Sequence, residues 1–323
     1  MPAPDAAHLD RLGGFPPRSI FIAGANRSGT TWLHRLLSTA ADVDHVSFYD
    51  VVERASLIEH RLRGDEAETI AAIDAELARF GSDRGIDPVR IGALEPEEYA
   101  GVMRRSYVGL DSRHPYSNPN LAPLRILARK KCWLASRPRP LLLKNPIDTC
   151  DGVHRLAEAI PNASFVFVHR HPSPVMASSV HMWQEVLTDL NPWLASLDRG
   201  YRVLFSSPDA LAAVRSHCGT EAHVLGVRDR IRTAMFHFLD MERTLPEDRV
   251  VSVRYEDLCA SPEAELERVL RELRLEAVGS VRDAARTPRA TPPDPLIERI
   301  HDESIESWRP YLRRVGYADL PDA

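Results

Sequence analysis

Ser19-Ile20-Phe21-Ile22-Ala23-Gly24-Ala25-Asn26-Arg27-Ser28-Gly29-Thr30-Thr31-Trp32-Leu33-His34-Arg35-Leu36-Leu37 is the stretch on which the fold turns. Ser19 to Ala23 is a short apolar, β-branched run of the kind that makes a buried strand. Beyond it the apolar residues at 32, 33, 36 and 37 recur with helical spacing. The segment reads strand, glycine-containing turn, helix. Such a turn points the unpaired amides of a helix start and the positive end of its dipole at one spot, which makes an anion site. Gly24 and Gly29 allow the tight turn and a close approach to the ligand.

Measured against the nucleotide-binding pattern G-x-x-x-x-G-K-[ST], the glycines keep their spacing but Thr30 stands in the lysine position. The positive charge has moved to Arg27. That lysine normally meets the β- and γ-phosphates, so its loss argues for an anion less charged than a magnesium nucleoside triphosphate.

Further along, Leu141-Leu142-Leu143-Lys144, Phe165-Val166-Phe167-Val168 and Val250-Val251-Ser252-Val253 read as buried strands, the first two bounded by Asn145-Pro146 and by Arg170-His171-Pro172. Helical patterns lie between them: Val46 to Arg63, opening with Ser47 to Asp50 and containing Glu53; 65–80, closed by Gly81; one beginning at Pro96-Glu97-Glu98-Tyr99; one ending in Arg129-Lys130-Lys131; and one from about Thr149 to Ile160. The Arg129 to Lys131 cations could neutralise a ligand phosphate, but are read in preference as complementing a helix carboxyl end or facing solvent. Apolar strands alternating with helices predict an α/β fold, a doubly wound, mainly parallel sheet with helices on both faces and the ligand at the carboxyl ends of the strands. Residues 1–17 read as a loose arm tightened by Pro16-Pro17, and 18–323 as a single domain. Between about 180 and 228, Trp183, Trp193, Tyr201 and Phe205 fit equally a lid over an acceptor pocket and a helical insertion packing its aromatics in the core.

A second motif follows the third strand, where Arg170 and, eight residues later, Ser178 can converge on one phosphate. With both motifs in this order, the chain resembles the sulfotransferases that use 3′-phosphoadenosine 5′-phosphosulfate (PAPS), over roughly residues 18 to 315. The resemblance implies the P-loop-like sulfotransferase fold. It implies that Arg27 contacts the transferring sulfonyl group, that Ser28, Gly29, Thr30 and Thr31 hold the 5′-phosphate, that Trp32 lies by the adenine, and that Arg170 and Ser178 hold the 3′-phosphate. The Arg254-Tyr255-Glu256-Asp257-Leu258 and Trp308-Arg309-Pro310-Tyr311-Leu312 stretches resemble structural supports of the same enzymes. The cytosolic branch has Lys-Thr-His at the second strand; here Lys144-Asn145-Pro146 keeps the lysine and lacks the histidine base. This resembles the bacterial, carbohydrate and tyrosyl-protein branches, where an acid after the first helix is the base. Glu53 and Asp50 lie in that region, with Glu53 preferred for its longer reach. His169 and His171 rank below them as packing or supporting residues.

A chain of 323 residues is long enough to bury a sizeable core without staples. Its net charge of −5 argues against a general nucleic-acid binder. Cys132, Cys150, Cys218 and Cys259 lie far apart, with no metal-like spacing, and read as reduced structural thiols. No secretory signal pattern and no run near the ~20 apolar residues of a membrane span are seen. The expectation is a cytoplasmic PAPS-dependent enzyme needing no metal, with a small-molecule or saccharide acceptor, as in secondary metabolism. A P-loop kinase or NTPase, with Asp257 as nearest metal ligand, and a noncatalytic nucleotide-binding module are the alternatives.

Overall fold

Five parallel strands make the central sheet of the computed structural model, which describes residues 4–12, 18–86, 89–103, 121–145, 152–279 and 294–317. They are β1 (Ser19–Gly24), β2 (Asp44–His45), β3 (Leu141–Lys144), β4 (Ala163–His169) and β5 (Val250–Arg254), in the spatial order β2-β3-β1-β4-β5. The first strand is thus central, with β3 on one side (Ile22 beside Lys144) and β4 on the other (Gly24 beside Val168). From β1 the chain goes to the edge at β2, returns inward to β3 beside β1, then crosses to β4 on the other side of β1 and continues outward to β5. That reversal opens a crevice at the strands' carboxyl ends, where open α/β sheets bind ligands.

Alternation along the strands divides the core into two layers. Ile20, Ile22, Leu142, Val166 and Val168 meet Leu33, Leu36 and Leu37 of α1 (Thr30–Ala40). Phe21, Leu141, Leu143, Phe165 and Phe167 face the opposite layer. Phe21 and Phe165 stack with centroids 5.5 Å apart, and Phe167 reaches Phe238 at 5.9 Å. Each such fully buried side chain is worth about 1.5–3 kcal/mol, so helices on both faces are required to cover the sheet.

After α1 come α2 (Phe48–Val52), α3 (Leu57–Arg63) and α4 (Glu66–Leu77), the last running into a short 3₁₀ turn, Ala78–Phe80. The single stretch expected over Val46 to Arg63 is therefore two helices, broken at 53–56. The break has a distant cause. Asp5, from a 3₁₀ segment at Pro4–Arg11, accepts hydrogen bonds from the amides of Ile58 (3.1 Å) and Glu59 (3.0 Å), and so caps α3 from another part of the chain. That segment is not a loose arm: Asp5 is buried and pairs with Lys130 at 2.6 Å.

Then follow α5 (Ala100–Met103), α6 (Ala122–Leu134), α7 (Gly152–Ala159) and α8 (Pro172–Asp189). The cations of α6 are inward, contrary to expectation. Lys130 meets Asp5 and the Arg54 carbonyl, Lys131 meets Asp50 at 2.8 Å and Asp44 at 3.3 Å, and Arg129 donates to the Leu9 and Leu12 carbonyls. Next are α9 (Pro192–Leu197), α10 (Arg199–Phe205), α11 (Pro208–His217) and the long α12 (Glu221–Thr244). Trp183 and Phe205 join Leu187, Leu204 and Leu211 in a small apolar cluster of their own, with Tyr201 against both aromatics, whereas Trp193 packs between Phe48 and Phe80. The segment over 180–228 is helical, and its aromatics are buried or half-buried. The last helices are α13 (Tyr255–Ala260), α14 (Pro262–Glu272), α15 (Pro295–Glu303) and α16 (Ile305–Val315).

Cys132, Cys218 and Cys259 are free thiols. No helix among the described residues is long and apolar enough to cross a membrane. Pro16, Pro17, His114, Pro115, Asn118, Pro119, Asn120, Pro146, Thr149 and Cys150 lie outside the described residues.

Candidate functional site

The turn from β1 to α1 is closely packed. Gly29 precedes α1 with φ 101°, and its missing side chain is filled by Tyr255: a Cβ there would lie 2.2 Å from the ring. At Gly24 a Cβ would lie 2.7 Å from Ser28 Oγ and 2.8 Å from the Val168 carbonyl, so the loop can fold back on β4 only because that position is bare. Ser28 is buried, and its Oγ has no hydrogen-bond partner among the described residues. A buried hydroxyl without a partner is costly. Beside it the first amides of α1, those of Thr30 and Thr31, have no intrahelical acceptor. Loop and helix start together form a donor-rich hollow with one buried hydroxyl unspent.

Arg27 adopts φ 69°, a conformation uncommon for a residue with a side chain. Its two ends are tied to the second motif. Arg27 Nε donates to Ser178 Oγ at 3.0 Å, and Arg170 Nη1 donates to the Arg27 carbonyl at 2.9 Å. The Arg170 guanidinium lies over the Tyr255 ring, 4.2 Å from its centroid, and Trp32 meets the same ring edge-on at 5.9 Å. Two motifs more than 140 positions apart thus share one cluster, with Tyr255 as its floor.

The third strand end supplies Lys144. Alternation puts it on the α1 side of the sheet with Leu142, and its Nζ donates to Thr31 Oγ1 at 2.8 Å. An ammonium absent from position 30 is therefore delivered to the helix start from the neighbouring strand. It is buried and pairs with Glu98 at 2.6 Å.

The structure brings together Arg27, Ser28, Gly29, Thr30, Thr31, Trp32, Lys144, Arg170 and Ser178 around the ends of β1, β3 and β4. Asp50 and Glu53 have engagements of their own. Asp50 closes a capping box with Ser47, accepting from its amide (2.8 Å) and hydroxyl (2.9 Å), and binds Lys131. Glu53 is the C-cap of α2 rather than a residue inside a helix, and its carboxylate meets His60 at 3.3 Å. Burial lowers the His60 pKa, but hydrogen bonds to Asp65 and Glu53 outweigh it, so the net shift is upward. Arg54 turns instead to the Val51 carbonyl.

Of the flanking histidines, His169 is buried between Glu242 (2.7 Å) and the Tyr311 hydroxyl (3.3 Å), and Tyr311 donates in turn to the Arg170 carbonyl (3.3 Å). His171 packs against His301 and Tyr317; burial, then the neighbouring His301, lowers its pKa. His169 is thus linked to the Arg170 carbonyl through Tyr311, while the His171 amide donates to Glu256 at 3.0 Å. Sequence reasoning missed Tyr255 as the floor of the cluster and Glu98 as the carboxylate on Lys144. A run of two glutamates before a tyrosine carries no motif, and only the packing of that run gives it a place.

A model of the sulfotransferase family matches residues 17–278 of the chain. No curated protein matches the sequence. Among solved structures, sulfotransferase STF1 from Mycobacterium tuberculosis H37Rv is 19% identical, with 92% of this chain and 78% of that chain covered at a TM-score of 0.57. Sulfotransferase STF9 from Mycobacterium avium is 11% identical, with 98% and 80% covered at 0.59. A sulfotransferase from Alicyclobacillus acidocaldarius is 12% identical, with 94% and 97% covered at 0.50. At such identities the likeness to these structures is one of fold.

Proposed function

The chain belongs to the sulfotransferase family, and from that premise we propose that it moves the sulfonyl group of PAPS to a hydroxyl of a small-molecule or saccharide acceptor. The observation that carries this reading is the convergence of Arg27, Lys144, Arg170 and Ser178 on one hollow at the ends of three adjacent strands. The residues fit the donor: Ser28 Oγ is buried and unpartnered among the described residues, beside the first amides of α1, which have no intrahelical acceptor. PAPS, when bound, supplies the sulfonyl group and a phosphate as leaving group.

In this reading the amides and hydroxyls of Ser28 to Thr31 hold the 5′-phosphate, Trp32 flanks the adenine, and Arg170 with Ser178 takes the 3′-phosphate. Arg27 and Lys144 offset the charge that grows on the bridging oxygen. Ser178 holds the Arg27 side chain and Thr31 that of Lys144, and positioned donors of this kind are what stabilises developing charge. Positioning and charge stabilisation are most of what such a transfer asks of a protein.

The test is a thermal shift with the product 3′-phosphoadenosine 5′-phosphate (PAP), without metal, against ATP with magnesium. Saturation at 100 times the dissociation constant adds about 2.7 kcal/mol of stability. Stabilisation by ATP and magnesium alone would replace this reading with a kinase or NTPase.

A further inference from the structure

We propose that Glu98 takes the proton of the attacking acceptor; the assignment rests on the donor reading above. Three observations carry it. The first is place: Glu98 Oε1 lies 2.6 Å from Lys144 Nζ, which itself lies 2.8 Å from Thr31 Oγ1, so a carboxylate stands two contacts from the loop that holds the reacting end of the donor.

The second is how firmly the segment is held. The Glu97 amide donates to the Val46 carbonyl at 2.7 Å, the Tyr99 amide donates to the Lys144 carbonyl at 3.4 Å, and Pro96 bridges to Ser47. Glu97 accepts from Arg84 at 2.7 Å through one oxygen and from the Glu98 amide at 2.7 Å through the other. Arg84 in turn is anchored through its carbonyl by Asn191 Nδ2 at 2.9 Å. The neighbouring carboxylate is thus spent on fixing the backbone, while Glu98 points to Lys144. A base aimed from a rigid support is the arrangement that proton transfer requires.

The third is the fate of the other acids. Among the described residues, Asp50 and Glu53 engage Ser47, Lys131 and His60, none of which is in the hollow, whereas Glu98 engages Lys144, which is. The step balances. The acceptor oxygen bonds to sulfur while the bond from sulfur to the bridging oxygen breaks. The electron pair stays on the departing phosphate beside Lys144 and Arg27, and the acceptor proton goes to the Glu98 carboxylate. Lys144 then faces one anion that gains a proton and another that gains charge, so its own environment changes little during transfer.

The experiment uses water as the probe acceptor: release of PAP from PAPS by the wild type, Glu98→Gln and Glu53→Gln, with PAP thermal shifts on the same samples. Glu98→Gln keeps the shape and a hydrogen-bonding oxygen for Lys144. The expected result is a loss of about 10²- to 10⁴-fold in release, the disappearance of the acid limb of the pH–rate profile, and a PAP shift equal to that of the wild type. Equal release by wild type and Glu98→Gln overturns the assignment, as does loss in Glu53→Gln with release retained in Glu98→Gln. Parallel loss of release and of the PAP shift makes Glu98 a counterion that merely holds Lys144, and also overturns it. Absence of a PAP shift in the wild type is a different failure, that of the donor reading, and withdraws both.

Discussion

Gly29→Ala tests whether the loop and its aromatic floor are one fitted unit. An alanine at φ 101° meets two penalties. The backbone leaves the conformations open to L-residues, at about 1–2 kcal/mol. The new Cβ lies 2.2 Å and 2.6 Å from two atoms of the Tyr255 ring, far inside contact distance, so the ring must move or the loop must lift. Overpacking of this kind costs about 1–3 kcal/mol. The sum, about 2–5 kcal/mol, is to be read as a fall in the urea midpoint at unchanged slope. Tyr255→Ala, which costs about 3–5 kcal/mol alone, removes the obstruction but not the backbone penalty. In that background Gly29→Ala is expected to cost only about 1–2 kcal/mol, leaving a coupling of about 1–3 kcal/mol. Because Arg170 lies on the same ring, the single variant should also weaken PAP binding. Equal cost of Gly29→Ala in both backgrounds, or a cost below about 1 kcal/mol, would refute the fitted-unit argument.

Arg170→Ala is expected to weaken PAP by about 1.5–3 kcal/mol more than it weakens adenosine 5′-phosphate, as a charge-assisted contact to the 3′-phosphate demands; calorimetric titration with both ligands checks this, and equal loss would reduce Arg170 to a brace for the Arg27 carbonyl. His34 is buried, and burial, then Lys144, His45 and Arg84, hold its pKa well below the usual value, so the unfolded chain takes up a proton that the folded one refuses. Stability therefore falls as pH drops through the unfolded pKa, by about 1.4 kcal/mol between pH 7.5 and 5.5, and His34→Gln should flatten the urea-measured profile by that amount; an unchanged profile would show that His34 becomes charged in place. Asp5→Asn leaves the Lys130 ammonium buried without its counterion and should cost about 3–5 kcal/mol in urea unfolding; a cost under about 1 kcal/mol would mean that Lys130 finds water or another acceptor.

Much of the sheet was legible because β1, β3 and β4 are buried on both faces and read as nearly unbroken apolar runs, while β5 keeps a valine pattern around the exposed Ser252. Leu141–Lys144 matched to the residue, and the Ser19, Phe165 and Val250 runs fell within the observed strands. The two-residue β2 was missed: Asp44 and His45 are polar, half-buried edge residues with no pattern to detect. Local sequence also could not show the break in Val46 to Arg63, since the cap on α3 comes from Asp5. The same holds for Lys130 and Lys131, whose acids arrive from three other segments. Within the site, Arg27, Lys144, Arg170 and Ser178 could be read because each sits at a strand end or on the helix that follows it. Glu98 could not, because its orientation depends on Val46, Arg84 and the Lys144 carbonyl, none of them near it in sequence.

The pairing of Asp5 with Lys130 also bears on the order in which the chain closes. Asp5 leaves the ribosome more than a hundred residues ahead of Lys130. Closing a loop of that size costs only about 1.6 kcal/mol more than closing one of about 20 residues, so distance along the chain is a small obstacle once both ends exist. Until α6 has left the ribosome, however, Asp5 has no buried cation to meet. The Pro4–Arg11 segment is therefore a late fastener for α3 and α6. A protease cut beside this segment would be felt in the interior, at α3 and α6, rather than at the surface where it was made.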